Sequence, residues 1–398
     1  MDDKDLFEQL KRGPLTRNGF DDNLRRRIND NLDKPSRRTI RPWYTRMGAI
    51  SAAFVLLVAV VGLLNWKSLS GDSSQKLTLP TDQASASAQA SKDRDINPVP
   101  HSAVVIGLRT DEAQGTSSEY RTIFVAPENN ELSFVKSGSG IWMPYKSNFW
   151  KIDAVPDSMG NGTQLLVALK SGVEKKVNQP FVAKPMSQSE KLLYAGNEFV
   201  SIMQTTNLKD KGNTVDRSEV WVNQVTNLAP AVRYENNNAL AEGNFTLARA
   251  LGTNESELQI DQWAIAREPG SWVAKQPGST SLLTNETEIA SWPNVSVQLS
   301  KAIVKDDPLA LTWDEVKSLE SQAVDAFTSQ DEDIAIIVTD NELKLIPYQL
   351  PQTERTEKTV TLSLKPNESI VMVQWATQEK YVENWKLLFS KWFATSAE

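Results

Sequence analysis

Apolar positions follow three rhythms along this chain. From Met47 to Trp66 they run for 20 residues without a charged interruption. At about 1.5 Å rise per residue this makes a helix of roughly 30 Å, the thickness of a bilayer's hydrocarbon core, with no polar face to turn toward water. The pattern predicts a transmembrane helix over 47–66. Trp43, Tyr44 and Trp66 flank it, where amphipathic rings favour the headgroup zone.

Beyond residue 101 the rhythm shortens to period two. "AVVIGLR", "YRTIFVAP", "ELSFVKS", "GIWMPY", "FWKIDAV", "TQLLVALK", "EFVSIMQT", "EVWVNQV", "DQWAIARE" and "SWVAKQP" are short runs of β-branched and aromatic residues, punctuated by Gly, Asn, Pro and Ser. They predict a mainly β domain over 101–305, with hairpin turns in "APENNELSF" and "REPGSWVA". A propeller-like arrangement is the alternative, since aromatics recur near glycine in "SGSGIWMPYKSNFW". Over 306–398 the rhythm mixes. "LTWDEVKSLESQAVDAF" is expected as a helix opened by the capping box of Thr312 and Glu315. Four strands follow in "IAIIVT", "ELKLIPY", "TVTLSL" and "SIVMVQWA". A last helix, "TQEKYVENWKLLFSKW", carries Tyr381, Trp385, Leu388 and Trp392 on one face. This α+β segment is expected either as a lobe of its own or as the closing part of one β-rich domain.

The third rhythm lies before the span. Residues 1–46 suit two short helices split by "GPLTRNG". In the second, Phe20, Leu24, Ile28 and Leu32 recur every four residues. So narrow a stripe cannot support an independent core, so it needs a partner to lie against. Residues 67–100 are rich in Ser, Ala, Gln and Asp and read as a flexible stalk.

Charge then sets the orientation. Residues 1–46 hold 12 Lys/Arg against 8 Asp/Glu, and Lys34, Arg37, Arg38, Arg41 and Arg46 precede the span with no acid among them. The positive-inside rule keeps this end in the cytoplasm of a single-pass cell-membrane protein, with the rest extracytoplasmic. The larger part is acidic, which argues against a nucleic-acid partner. With no cysteine in the chain, the exterior domain has no disulfides, as fits a bacterial envelope.

The search for chemistry yields no catalytic constellation. His101 is the single histidine and follows a Pro-Val-Pro linker boundary, so an exposed structural role is expected. One His and no Cys cannot build a zinc site, and no cofactor or metal is expected. Ser133 and Lys136 stand at serine-x-x-lysine spacing, but in an alternating strand they point to opposite faces. Asp306 with Asp307 and Asp331 with Asp333 are carboxylate pairs in acidic loops without the glycine of a calcium loop, and such loops are usually solvated. Trp142, Tyr145 and Trp150, with Phe149, are candidate rings for stacking on sugars of a cell-wall component, against the commoner role of hairpin packing.

"LFEQLKRGPLTRNGFDDNLRRRINDNLD", followed by one span, a stalk and an acidic exterior domain, resembles the membrane-bound anti-sigma factors of Gram-positive bacteria. The chain departs from their zinc-type members, lacking His and Cys ligands. The resemblance implies that Phe20, Leu24, Ile28 and Leu32 pack on a sigma factor, while the exterior domain senses a ligand or stress without being an enzyme. The alternative is an envelope polymer-binding or adhesion module with no signalling role.

Overall fold

A computed structural model describes residues 98–393, apart from 113–116, 157–163, 173–187, 211–212, 236–238, 254–260, 279–282, 284, 297–298 and 306–307. The expected tail, the span at 47–66 and the stalk up to residue 97 lie outside the described residues. Among the described residues no helix is long and apolar enough to cross a membrane.

The described part is β-rich, with five antiparallel sheets and few helices. The first sheet joins β1 (Ala103–Asp111), β2 (Ser118–Glu128) and β3 (Glu131–Ser139) to the last strand, β16 (Glu368–Ala376), in the order β16-β1-β2-β3. The second runs β4 (Ile141–Tyr145), β5 (Asn148–Pro156), β6 (Gln164–Lys170). The third runs β7 (Gln188–Gly196), β8 (Phe199–Asp210), β9 (Asn213–Gln224). A hairpin of β10 (Ala264–Glu268) and β11 (Ser271–Lys275) is the fourth. The fifth holds β12 (Asp325–Thr328), β13 (Ala335–Val338), β14 (Glu342–Ile346) and β15 (Val360–Ser363). Strands from the 306–398 segment thus serve two sheets, because β16 pairs with β1 from Ala103–Ala376 to Thr110–Glu368.

The continuous apolar run "AVVIGL" has a simple cause: β1 is buried on both faces. Val104, Ile106 and Leu108 face a core that includes Trp263, Trp272, Phe327 and Ile336. Ala103 and Val105 face another, shared with Ile141, Phe149 and Ile152 and with the C-terminal helix Glu379–Phe393. That helix buries Val382, Trp385, Phe389 and Phe393. The expected stripe of Tyr381, Trp385, Leu388 and Trp392 is therefore rotated by about one residue, and Tyr381 is left 48% exposed. Opposite the helix lies Gly138 of β3, where any Cβ would collide with the Phe393 ring. The bare backbone there lets the helix settle on this face.

One further expectation is corrected. The helix opened by the Thr312–Glu315 capping box ends at Leu319, and Asp325–Thr328 is strand β12 rather than helix. Its adjacent Ala326 and Phe327 are buried in different cores, which a strand accomplishes by alternation. β7 and the short helix Gln352–Lys358 were not foreshadowed by the pattern.

Ion pairs join the sheets. Arg109, 2% exposed, donates to Leu192 O at 2.6 Å, to Asp111 and to both Glu286 oxygens at 2.7 Å. Arg233 and Glu190 form a buried pair, in which Glu190 also accepts the Leu166 N–H at 2.9 Å and the Gln204 amide at 3.2 Å. Glu190 thereby bridges β6 and β8 from β7.

Candidate functional site

The chain's turns and strand ends converge on a cleft of about 510 Å³. One wall is the β4–β5 turn, where Lys146 adopts a left-handed φ of 55° and Asn148 and Phe149 begin β5. Asn197, at φ 57° in the β7–β8 turn, donates its amide to Ala302 O and so pins the segment that carries Lys305. The floor is the end of β16, with Gln374, Trp375 and Ala376. The chain then turns at Thr377–Gln378, and the Gln378 carbonyl accepts the N–H groups of Tyr381 and Val382 to start the C-terminal helix. The helix's first two turns present Tyr381, Asn384 and Trp385 to the cleft, and Gln330 closes it from the loop before β13.

The chemistry of this lining is uniform. Amide side chains come from the two hairpin turns, the end of β16, the C-terminal helix and the Gln330 loop. Those of Asn148, Gln330, Gln374, Gln378 and Asn384 make no hydrogen bond among the described residues. The charged side chains in the lining are Lys146 and Lys305; no Asp, Glu or His is among the described lining residues. The cleft can donate and accept hydrogen bonds and stack a ring. Its described lining includes no carboxylate or imidazole to move a proton.

Trp142, Tyr145 and Trp150 do not line the cleft. Trp142 stacks on Trp392 at 4.2 Å with a 17° interplanar angle, and the Lys151 ammonium lies 5.8 Å from its ring centre. Tyr145 and Trp150 meet edge to face at 6.0 Å. All three are part-buried and pack against the core under the C-terminal helix. Phe149, their neighbour, joins the seam to the cleft, touching Trp385, Phe389 and Trp392 while lining the cavity. Phe20, Leu24, Ile28 and Leu32 lie outside the described residues. Ser133 and Lys136 sit on opposite faces of β3, and the Ser133 hydroxyl donates to Glu128 O. Among the described residues no group of three or more His, Asp or Glu could hold a metal ion.

The pair Asp331 and Asp333 has unequal members. Asp331 is exposed, but Asp333 is fully buried. Its Oδ2 accepts the backbone N–H groups of His101 at 2.7 Å and Ser102 at 2.8 Å, and its Oδ1 accepts the Ser329 hydroxyl. The His101 ring stands between the two, 3.2 Å from Asp331 and 3.3 Å from Asp333, with Nδ1 2.9 Å from Val99 O. Burial alone would lower the histidine's pKa. The Val99 carbonyl and the carboxylates of Asp333 and Asp331 outweigh it and hold the pKa above its ordinary value. Asp333 is thus a clamp on the chain's entry into the fold, in place of the solvated loop expected. Asp306 and Asp307 lie outside the described residues.

No protein-family model, curated protein or solved structure matches this chain. The cleft was partly visible in "VQWATQEKYVENW", where Gln374, Trp375, Gln378, Tyr381, Asn384 and Trp385 interleave amides with rings. The lysines, Asn148 and Gln330 come from distant segments and left no such trace.

Proposed function

We propose that this chain is a single-pass membrane regulator of the anti-sigma-factor type. In this reading the folded exterior part binds an envelope component in the cleft and is not an enzyme. The cytoplasmic helices hold a sigma factor through Phe20, Leu24, Ile28 and Leu32. The observation that carries the sensing half is the course of one loop. Gln330 lines the cleft, and three residues later Asp333 grips His101 and Ser102, where the chain comes in from the stalk. A ligand that displaces Gln330 acts on a segment whose other end fixes the membrane-side entry. To turn a 1:99 equilibrium into 99:1, that ligand must favour one state by about 5.5 kcal/mol. The uncharged run at 47–66 and its basic flank support the topology.

The sigma-binding half is tested by purifying the full-length chain from cells with its bound proteins. Wild type is expected to retain a sigma factor, and the double variant Leu24→Asp, Ile28→Asp to lose it. Retention by the variant, or no sigma factor with either chain, ends this half. The envelope-binding anchor without signalling is the second reading, favoured by the same lining of amides and rings. It expects a cleft ligand to leave the tail's partner undisturbed, whereas the regulator expects its release or capture. A propeller-like fold is supported by the last strand closing the first sheet and by burial of β1 on both faces.

A further inference from the structure

We infer that the cleft takes an uncharged oligosaccharide; this rests on the cleft being the ligand site. Three observations converge. The first is a set of hydrogen-bonding groups on several walls. The amides of Asn148, Gln330, Gln374, Gln378 and Asn384 make no hydrogen bond among the described residues. Asn148 and Gln374 are part-buried, where a polar group left unpaired is costly. Each amide offers a donor beside an acceptor, which matches a sugar hydroxyl, itself both. Gly196, the last residue of β7, makes room for one of them. A Cβ there would stand 2.8 Å from the Gln374 amide nitrogen.

The second observation is apolar surface of the right kind. Trp375 is part-buried at the floor and Tyr381 is 48% exposed at the rim, giving flat faces for the C–H side of a sugar ring. The volume of about 510 Å³ lies within the roughly 300–1,000 Å³ of small-ligand sites. The third is that the cleft's charges are committed elsewhere. Lys146 is engaged with its neighbour Tyr145, which lies outside the lining and whose ring centre is 4.8 Å from the ammonium. Lys305 has an interaction of its own. The uncommitted amides are neutral. An ionised ligand group would exchange water for these amides alone, a loss that an uncharged hydroxyl does not incur. The neighbouring cavity of about 460 Å³ differs, setting Lys301 and Glu332 among Leu299, Val304 and Leu309, with Gln330 as the one amide of its described lining. An uncharged peptide is a poorer occupant, because peptide capture by strand addition needs a free sheet edge and this cleft is walled by turns and strand ends.

The test uses the full-length chain in detergent micelles, with tryptophan emission followed because Trp375 and Trp385 line the cleft. The probes are cellohexaose, chitohexaose, an oligogalacturonate of the same length and an uncharged Gly-Ser peptide. One or both neutral oligosaccharides should bind about tenfold more tightly than the oligogalacturonate or the peptide. Raising the salt should leave that affinity within about twofold. The double variant Gln330→Ala, Asn384→Ala removes two exposed amides and should weaken the oligosaccharide about tenfold while melting like wild type. Oligosaccharide binding that this variant and Tyr381→Ala both leave unmoved places the sugar elsewhere and overturns the inference. Tighter binding of the oligogalacturonate or the peptide overturns it too. A second measurement sediments the chain with bacterial cell walls extracted free of membrane. Walls that bind wild type but not Tyr381→Ala, when neither oligosaccharide binds, overturn the inference and leave the cleft as a ligand site. If neither walls nor oligosaccharides bind, the inference and the reading beneath it fall together.

Discussion

Two aromatic regions meet at the C-terminal helix and do opposite things. In the seam beneath it, Trp142, Phe149, Phe389 and Trp392 cover one another's faces, and Phe124 stacks on Phe389 at 4.5 Å. In the cleft at its N-terminal end, Trp375, Tyr381 and Trp385 stand among amides and beside two lysines. Phe149 and Trp385 belong to both. Ring content is therefore not what separates packing from recognition here. The separating quantity is what surrounds the rings: other rings in the seam, uncommitted hydrogen-bonding groups in the cleft.

Substitutions should sharpen that division. Phe389→Ala removes a fully buried ring at the centre of the seam and should cost about 3–5 kcal/mol in stability, read by chemical denaturation. The folded fraction should bind ligand as wild type does. Asp333→Ala withdraws a buried acceptor from two N–H groups and one hydroxyl and should cost about 2–3 kcal/mol. Under the regulator reading it also cuts the response of the tail to ligand. Tyr381→Ala should change stability by about 0.5 kcal/mol or less, yet weaken ligand binding about tenfold, or ~1.4 kcal/mol. A reversed outcome, with Tyr381 costing stability and Phe389 costing only affinity, would erase the distinction between seam and cleft.

The smallest effect concerns His101. Its folded-state pKa is raised, so the protonated ring contributes stability that is fully present below its unfolded value of about 6.5 and is lost as pH climbs through the raised folded value. The melting temperatures of wild type and His101→Gln should differ most in mildly acidic solution and converge on the alkaline side of neutrality. Divergence that grows with pH would contradict the ion pairs to Asp331 and Asp333.

Much of the strand content was legible because a sheet with a buried face imposes alternation, as in "ELSFVKS", and one buried on both faces imposes a continuous run, as in "AVVIGL". The misreadings arose where two patterns fit equally. Tyr381, Trp385, Leu388, Trp392 and Val382, Trp385, Phe389, Phe393 are both helical stripes sharing Trp385, and local spacing cannot rank them. Gly138, distant in sequence, favours the second by leaving room for Phe393. "SQAVDAF" has good helix formers, but the burial of Ala326 and Phe327 in separate cores overrides local preference. The cleft was legible only along the β16–helix segment. Its remaining walls depend on tertiary convergence, as does the difference between Asp331 and Asp333, two residues alike in their sequence surroundings and opposite in exposure.

The pairing of β16 with β1 sets an order of events during synthesis. β1 is made early and can zip to β2 at once, but its other edge has no partner until the ribosome has delivered nearly the whole folded region. Until then a long apolar strand stands open on one side, a template for any other extended segment nearby. A nonsense mutation that stops the chain before Glu368 would make that interval permanent. The expected product is an aggregating species that never matures, rather than a slightly shortened folded protein.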